Sequence, residues 1–193
     1  GRGRFTEVEL GLLRNTGATS MALADVEGDG DLDLYVTHYR TDTFHDPPKG
    51  GRFVQRRQPD GTTVIEPRDR YLGVPALNGN LEVLERGEPD ALYINRGGTN
   101  LVMAPWNVGL FIDERGEALT EPPRDWGLAV MFRDLDGDRR PDLYVCNDFV
   151  HWPDRLWLNR GKRFQAAPET ALRNQPLSSM SMDAADIDRD GHD

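Results

Sequence analysis

The chain has 193 residues, a formal net charge of −10 at pH 7 and a pI near 4.9, so it is long enough for one or two domains with a core. This acidic balance argues against a nucleic-acid-binding surface and fits a protein that gathers carboxylates for cations. No stretch approaches the roughly 18 consecutive apolar residues that a membrane helix needs, and the single cysteine, Cys146, excludes an internal disulfide.

The first recognisable phrase in chain order is "ADVEGDGDLDLYV", an acidic loop at residues 25–33 followed at once by an apolar run. In that run Leu34 and Val36 fall on one face and Tyr35 on the other, a period of two that predicts a β-strand. Since both faces carry large apolar side chains, both should be covered by neighbouring sheets.

A long insertion follows, at about residues 40–89. Within it "RFVQRRQPDGTTVIEP" predicts a β-hairpin with its turn at Pro59, Asp60 and Gly61. This hairpin region is locally basic, which indicates either pairing with acidic surface nearby or contact with a protein or anionic-glycan partner. The second interpretation rests on the frequent functional role of long insertions on rigid scaffolds. Its candidate ligand contacts are Arg52, Arg56 and Arg57.

Three phrases then recur in a constant order. "LLRNTGATSMALAD" is matched by "ALRNQPLSSMSMDAAD", and "DALYINRGG" is matched by "DRLWLNRGK". The acidic loop is matched by "RDLDGDRRPDLYVCND" and "ADIDRDGHD". Asp90 and Asp154, which open the "L-aromatic" strands, are expected to bond backbone or a neighbouring arginine. Loops about 50 residues apart, with about four short strands per unit, predict an all-β protein built from antiparallel β-propeller blades.

The repeat also sets the predicted boundaries. The first unit spans residues 1–132, with its loop at 25–33 and the insertion, and the second spans residues 133–165, with its loop at 134–142. A third unit begins at residue 166 and stops inside its own loop at residue 193. The sequence therefore predicts about two and a half blades of a larger propeller whose remainder is absent from this chain.

Oxygen ligands at alternate positions of a tight loop can converge on one hard cation, and Ca²⁺ takes six to eight oxygens at about 2.3–2.6 Å. An EF-hand is excluded because Val36 and Val145 stand where it needs a bidentate glutamate. Zn²⁺ would need clustered His or Cys, Mg²⁺ prefers to keep its waters, and a charged turn without metal is the remaining alternative.

The predicted ligands are side chains at loop positions 1, 3, 5 and 9 and the carbonyl at position 7. Two loops are complete, and the third ends before position 9. Two departures stand out, since Glu27 is longer than Asp and Arg139 replaces the usual Gly at position 6. The ligands are Asp25, Glu27, Asp29, Asp33 and the Asp31 carbonyl; Asp134, Asp136, Asp138, Asp142 and the Arg140 carbonyl; and Asp186, Asp188, Asp190 and the His192 carbonyl.

These loops resemble the calcium loops of FG-GAP/VCBS repeats, the blades of integrin-α-type β-propellers. The combination "DLYVCNDF", "DRLWLNRGKRF" and "SSMSMDAADIDRDG" more narrowly resembles bacterial FG-GAP proteins related to cartilage acidic protein, which often carry an ASPIC/UnbV domain. The resemblance implies a propeller of about seven blades with Ca²⁺ in the blade loops. It also implies adhesion or ligand display as the role, and an exported protein in an extracellular, periplasmic or cell-surface location.

The sequence thus predicts a calcium-stabilised propeller fragment that acts as a binding, adhesion or scaffold module for a protein or glycan. Two alternatives stay open: a propeller enzyme acting on polysaccharide, and a docking subunit of a larger assembly. Asp148 and His151, in "CNDFVHW", are the further candidate ligand contacts. Their convergence in one pocket with the insertion's arginines would favour the enzyme.

Overall fold

The computed structural model describes residues 3, 7–13, 16–42, 52–76, 78–98, 100–149, 151–172, 174, 176 and 178–188. The described chain is all-β, with two short 3-10 helices, Trp106–Val108 and Glu169–Leu172. None of its helices has the length and apolarity needed to cross a membrane. The strands in chain order are β1 (Ala18–Ala24), β2 (Asp33–His38), β3 (Val54–Arg57), β4 (Thr63–Glu66), β5 (Tyr71–Pro75), β6 (Leu81–Glu85), β7 (Ala91–Asn95), β8 (Leu101–Met103), β9 (Phe111–Ile112), β10 (Gly127–Arg133), β11 (Asp142–Asn147), β12 (Arg155–Asn159) and β13 (Phe164–Ala166).

Two antiparallel sheets carry the repeat. The first has the strand order β1-β2-β7-β8, and in the second β10, β11, β12 and β13 follow one another in the same way. Each sheet is therefore a four-stranded antiparallel unit whose acidic loop joins its first two strands, as the sequence predicts for propeller blades. The turns after β7 and β12 place Gly97 and Gly161 at positive φ, 104° and 82°, where glycine avoids the steric cost of a Cβ atom.

The second sheet has an additional edge strand that the sequence did not indicate. β9, from the connection between the two sheets, pairs in parallel with β13, with Phe111 opposite Phe164. Phe111 is buried and stacks on Trp106 and Phe164 at ring-centroid distances of 4.0 and 5.4 Å. Aromatic packing thus holds a two-residue strand at the edge of the second sheet.

The main hydrophobic core lies between the two sheets. Tyr35 and Leu92 of the first sheet belong to it together with Leu143, Val145 and Trp157 of the second. Leu34 points to the other face of the first sheet, where it packs in a separate cluster. Both Leu34 and Tyr35 are buried, so both faces of this strand are covered as predicted, but the Leu34 face packs with Leu12 and residues of its own sheet rather than with a second sheet.

The insertion forms two β-hairpins, β3–β4 and β5–β6. The first is the predicted one, and Gly61 completes its turn at φ 87°. The second was not predicted. Acidic partners of the insertion itself neutralise part of its basic charge: Arg56 pairs with Glu66 at 2.5 Å, and Arg70 pairs with the buried Glu85 at 2.8 Å.

Hydrogen bonds fix the root of the insertion to the segments next to β2 and β10. The Trp126 indole N–H donates to the carbonyl of Glu85 at 2.9 Å, and the Gly87 N–H donates to the carbonyl of Arg124 at 3.1 Å. The Glu88 N–H donates to the carbonyl of Tyr39 at 2.8 Å. The insertion therefore returns to the first sheet through a packed junction.

Asp90 and Asp154 are structural carboxylates that accept backbone hydrogen bonds, as the sequence predicts. Asp90 accepts from the N–H of His38, and Asp154 accepts from the N–H of Asn147, both at 2.8 Å. A tyrosine hydroxyl, of Tyr35 or of Tyr144, donates to the second oxygen in each case. Burial between the sheets raises the pKa of Asp90 to about 7.

Candidate metal centre

The loop between β10 and β11 is shaped by its first carboxylate. Asp134 accepts hydrogen bonds from the backbone N–H groups of Gly137, Asp138 and Arg139 at 2.7–3.0 Å. This turn brings together one oxygen each from Asp134, Asp136 and Asp138, all within 4.8 Å of one another. Ligands on opposite sides of a Ca²⁺ ion lie about 5 Å apart, so the three oxygens fit one such ion.

The loop between β1 and β2 has the same backbone. Asp25 accepts from Gly28, Asp29 and Gly30, and hydrogen bonding by the Gly30 N–H lowers the pKa of this carboxyl. Among the described residues, however, the carboxylates of the first loop do not form a group of three like that of the second loop. Its position-3 carboxylate, Glu27, pairs with Arg96 at 3.0 Å.

The carboxylate at position 9 has a structural task in both loops. Asp142 is buried, and its two oxygens accept the N–H groups of Leu135 at 2.9 Å and Asn159 at 2.7 Å. It thereby ties the start of its loop to β11 and β12, and burial raises its pKa. It lies outside the three-carboxylate group. Asp33 makes the equivalent bonds with Val26 and Asn95.

The position-7 residues also keep equivalent backbone contacts. The N–H of Asp31 donates to Asp29 at 3.0 Å, and the N–H of Arg140 donates to Asp138 at 2.9 Å. The Arg140 guanidinium additionally pairs with Asp138 and donates to the carbonyl of Asn159. The two loops therefore share one backbone design, while their side-chain pairs differ.

Sequence reasoning missed two arginines at the loops. Arg96 contacts Glu27 at 3.0 Å, and Arg160 contacts Asp136 at 2.6 Å. Both follow the asparagine of the recurring "N-R-G" turn, so each sheet places one guanidinium on the position-3 carboxylate of its own loop. The signal was present in the repeated phrase, because the arginine recurs at the same place in both copies.

The two loops are also joined to each other. The side-chain N–H₂ of Asn159 donates to the carbonyl of Pro141 in its own loop at 3.2 Å and to the carbonyl of Val26 in the first loop at 3.0 Å. The side chain of Asn95, its equivalent in the first sheet, donates to the carbonyl of Leu32 in its own loop. One asparagine therefore bridges the acidic loops of neighbouring sheets.

Arg139 occupies the position-6 site at φ 70°, where the first loop has Gly30 at φ 94°. A non-glycine residue in this region is strained, so we expect Arg139→Gly to stabilise the protein by about 0.5–1 kcal/mol in urea unfolding. Gly30→Ala is the matched change. Nothing lies within 4 Å of its Cβ position, so backbone strain alone should destabilise it by about 1 kcal/mol. A destabilised Arg139→Gly variant would contradict this account.

The third predicted site is only partly described. Asp186 is half-buried and Asp188 is exposed. In the described part of the chain neither joins a group of three metal-binding side chains, and Asp190 and His192 lie outside the described residues. No strand is assigned to the described residues after β13. This site and the third unit stay predictions.

The other candidate contacts do not share a described interaction. Asp148 accepts hydrogen bonds from the hydroxyls of Tyr39 and Ser178, whereas His151 is exposed and lies edge-on to Trp152. Arg52, Arg56 and Arg57 are exposed in the insertion. These contacts do not bring Asp148, His151 and the arginines of the insertion together in one pocket. The role of these residues in ligand binding stays a prediction.

Two stacked sheets, each containing a four-stranded antiparallel unit with a matching acidic loop, define a β-propeller-like class of repeat protein. Within it, residues 134–193 match the FG-GAP-like repeat family. This repeat suggests a β-propeller-like binding or adhesion module, and it fits a protein-binding role. No curated protein matches the chain.

Proposed function

We propose that the chain is a calcium-binding part of a β-propeller whose role is binding, adhesion or scaffolding, with Ca²⁺ stabilising the blades. The observation that carries this proposal is the convergence of Asp134, Asp136 and Asp138 within 4.8 Å. Carboxylate oxygens are the ligands Ca²⁺ takes, and its tolerant geometry accepts a set completed by carbonyls and water. In the first loop the same role falls to Asp25, Glu27 and Asp29.

The position-9 carboxylates would support the metal site by holding the backbone of the loop. Asp142 and Asp33 each use both oxygens to hold backbone N–H groups. Since a carboxylate oxygen has two lone pairs, each retains one acceptor position. Their main contribution is to fix the loop in its curved shape before the ion binds, which reduces the ordering cost of binding.

The topology supports a display role. The acidic loop precedes β2, and the insertion follows β2, so the two features lie at opposite ends of the first sheet. One end of the sheet would hold the ion, while the other presents the two insertion hairpins with their exposed Arg52, Arg56 and Arg57. A rigid sheet with a long insertion at one end is a common way to present a binding surface.

The finer resemblance is part of the same proposal. The "DLYVCNDF" and "DRLWLNRGKRF" phrases support placement among bacterial FG-GAP proteins related to cartilage acidic protein, and with it export to an extracellular, periplasmic or cell-surface location. Ca²⁺ near 1 mM would suit a weak structural site of this kind.

Removing Ca²⁺ should lower the melting temperature. With dissociation constants of about 10⁻⁴–10⁻³ M and about 1 mM Ca²⁺, each site adds about 0.4–1.4 kcal/mol. For a chain of this size we expect EDTA to lower the melting temperature by about 1–5 °C per occupied site, and added Ca²⁺ to restore it. Calorimetry with and without EDTA measures this shift.

The double variant Asp136→Asn/Asp138→Asn is the control, because it removes two carboxylates from the second loop and leaves Asp142 in place. Its response to Ca²⁺ should be smaller than that of the wild type. A wild-type melting curve that is identical in EDTA and in Ca²⁺ would end the calcium proposal.

A further inference from the structure

The two loop arginines occupy equivalent positions in the two sheets. Arg96 follows the asparagine that ends β7, and Arg160 follows the asparagine that ends β12. Each directs Nη1 to the position-3 carboxylate of its own loop, at 3.0 and 2.6 Å. Arg160 also lies 3.6 Å from Asp138, a second member of the three-carboxylate group. A contact that recurs in two sheets with different carboxylates, Glu27 and Asp136, is a property of the unit.

We propose that Arg96 and Arg160 are built-in counter-ions that compete with Ca²⁺ for these loops and set a low affinity for the metal. The inference rests on the proposed calcium function and goes beyond it, because it assigns the affinity of the sites to residues outside the ligand set. In this view the arginine neutralises part of the loop while the metal is absent. Binding of the ion must then displace the guanidinium or tolerate its positive charge.

Electrostatics gives the direction of the effect. A guanidinium that contacts a ligand carboxylate repels a divalent cation held by that carboxylate. Solvent screens this repulsion only partly at a half-exposed site. Arg160 is 40% exposed at its side chain and Asp136 is 26% exposed, so solvent weakens the interaction without removing it. Removing the charge should therefore tighten Ca²⁺ binding at the second loop by about three- to tenfold.

The competing interpretation is that the arginine helps to organise the loop. The backbone bonds argue against this, because Asp134 and Asp142 already accept five N–H groups that shape the second loop. Arg160 contributes no bond to that backbone framework through its side chain. Its contacts are with the carboxylates that would otherwise face the ion.

The test is calcium titration calorimetry on the full chain carrying Arg160→Gln, with Arg160→Lys and Arg163→Gln beside it. Arg163→Gln is the matched control, since Arg163 is exposed in the same β12–β13 turn and its loss changes net charge equally. We expect about three- to tenfold tighter binding for Arg160→Gln. Arg160→Lys and Arg163→Gln should both stay within about twofold of the wild type, because each keeps the charge at the loop.

A second readout is the melting temperature. Arg160→Gln should widen the difference between the Ca²⁺ and EDTA melting temperatures, since its Ca²⁺ form gains affinity while its EDTA form loses only an exposed ion pair. Unchanged or weaker calcium binding by Arg160→Gln would overturn the counter-ion proposal. The wild-type titration separates the proposed function from this inference. No calcium binding by the wild type would contradict the proposed function. Calcium binding that Arg160→Gln leaves unchanged would contradict only this inference.

Discussion

Replacing Asp142 with alanine is expected to destabilise the protein by about 4 kcal/mol. The side chain is 0% exposed, and its two oxygens accept the N–H groups of Leu135 and Asn159 at 2.9 and 2.7 Å. Alanine leaves the buried N–H of Asn159 and the half-buried N–H of Leu135 without this acceptor, and each orphaned donor costs about 1–3 kcal/mol. The effect should appear in EDTA as well as in Ca²⁺, because these bonds exist without the ion.

Three further variants make the Asp142 prediction specific. Asp33→Ala, the equivalent change in the first sheet, should cost a similar amount, since Asp33 is 1% exposed and bonded in the same way. Asp142→Asn keeps one acceptor and should cost about half as much. Asp136→Ala removes an exposed loop carboxylate and should change stability by less than about 1 kcal/mol. Urea unfolding in EDTA that gives equal losses for Asp142→Ala and Asp136→Ala would contradict the structural role.

Replacing Gly87 with alanine is expected to cost about 3 kcal/mol and to loosen the insertion from the sheets. A Cβ atom at this position would lie 1.6 Å from the carbonyl oxygen of Asp125 and 2.5 Å from its carbonyl carbon. These are backbone atoms, so no side-chain rotation relieves the overlap. The junction around Trp126, whose indole N–H bonds the carbonyl of Glu85, must then shift.

Gly61→Ala is the control for Gly87→Ala. Gly61 lies in the β3–β4 turn at φ 87° with nothing within 4 Å of its Cβ position, so its replacement should cost only about 1 kcal/mol. Limited proteolysis should cut the Gly87→Ala insertion faster than the wild-type insertion, while the Gly61→Ala protein should resemble the wild type. Equal stability of the two variants in urea would show that the junction is looser than the structure indicates.

Local pattern predicted the parts of the fold that local chemistry determines. The period of two in "LDLYV" and "PDLYVC" predicted β2 and β11, and "PDG" predicted the first insertion hairpin, because strand alternation and glycine turns depend on neighbouring residues. β9 escaped prediction, since a two-residue strand is held by its partner β13 and by the packing of Phe111, which are distant in sequence.

The candidate site shows the same division. The alternate carboxylates predicted a convergent loop, and the structure brings Asp134, Asp136 and Asp138 together. The spacing could not show that Asp142 differs in role from the three convergent carboxylates, because its bonds to Leu135 and Asn159 depend on how β11 and β12 pair. It could not reveal Arg160 either, because the arginine reaches the loop only when the β12–β13 turn folds beside it.

Asn159 connects the acidic loops of the two stacked sheets through hydrogen bonds. Its amide holds the carbonyl of Val26 in the first loop, while its backbone N–H holds Asp142 of the second. The N–H of Val26 in turn donates to Asp33. A continuous chain of buried hydrogen bonds thus runs from one acidic loop to the next. We expect a ligand that tightens one loop to change the affinity of its neighbour, and thermodynamic reciprocity then requires the neighbour to respond in equal measure.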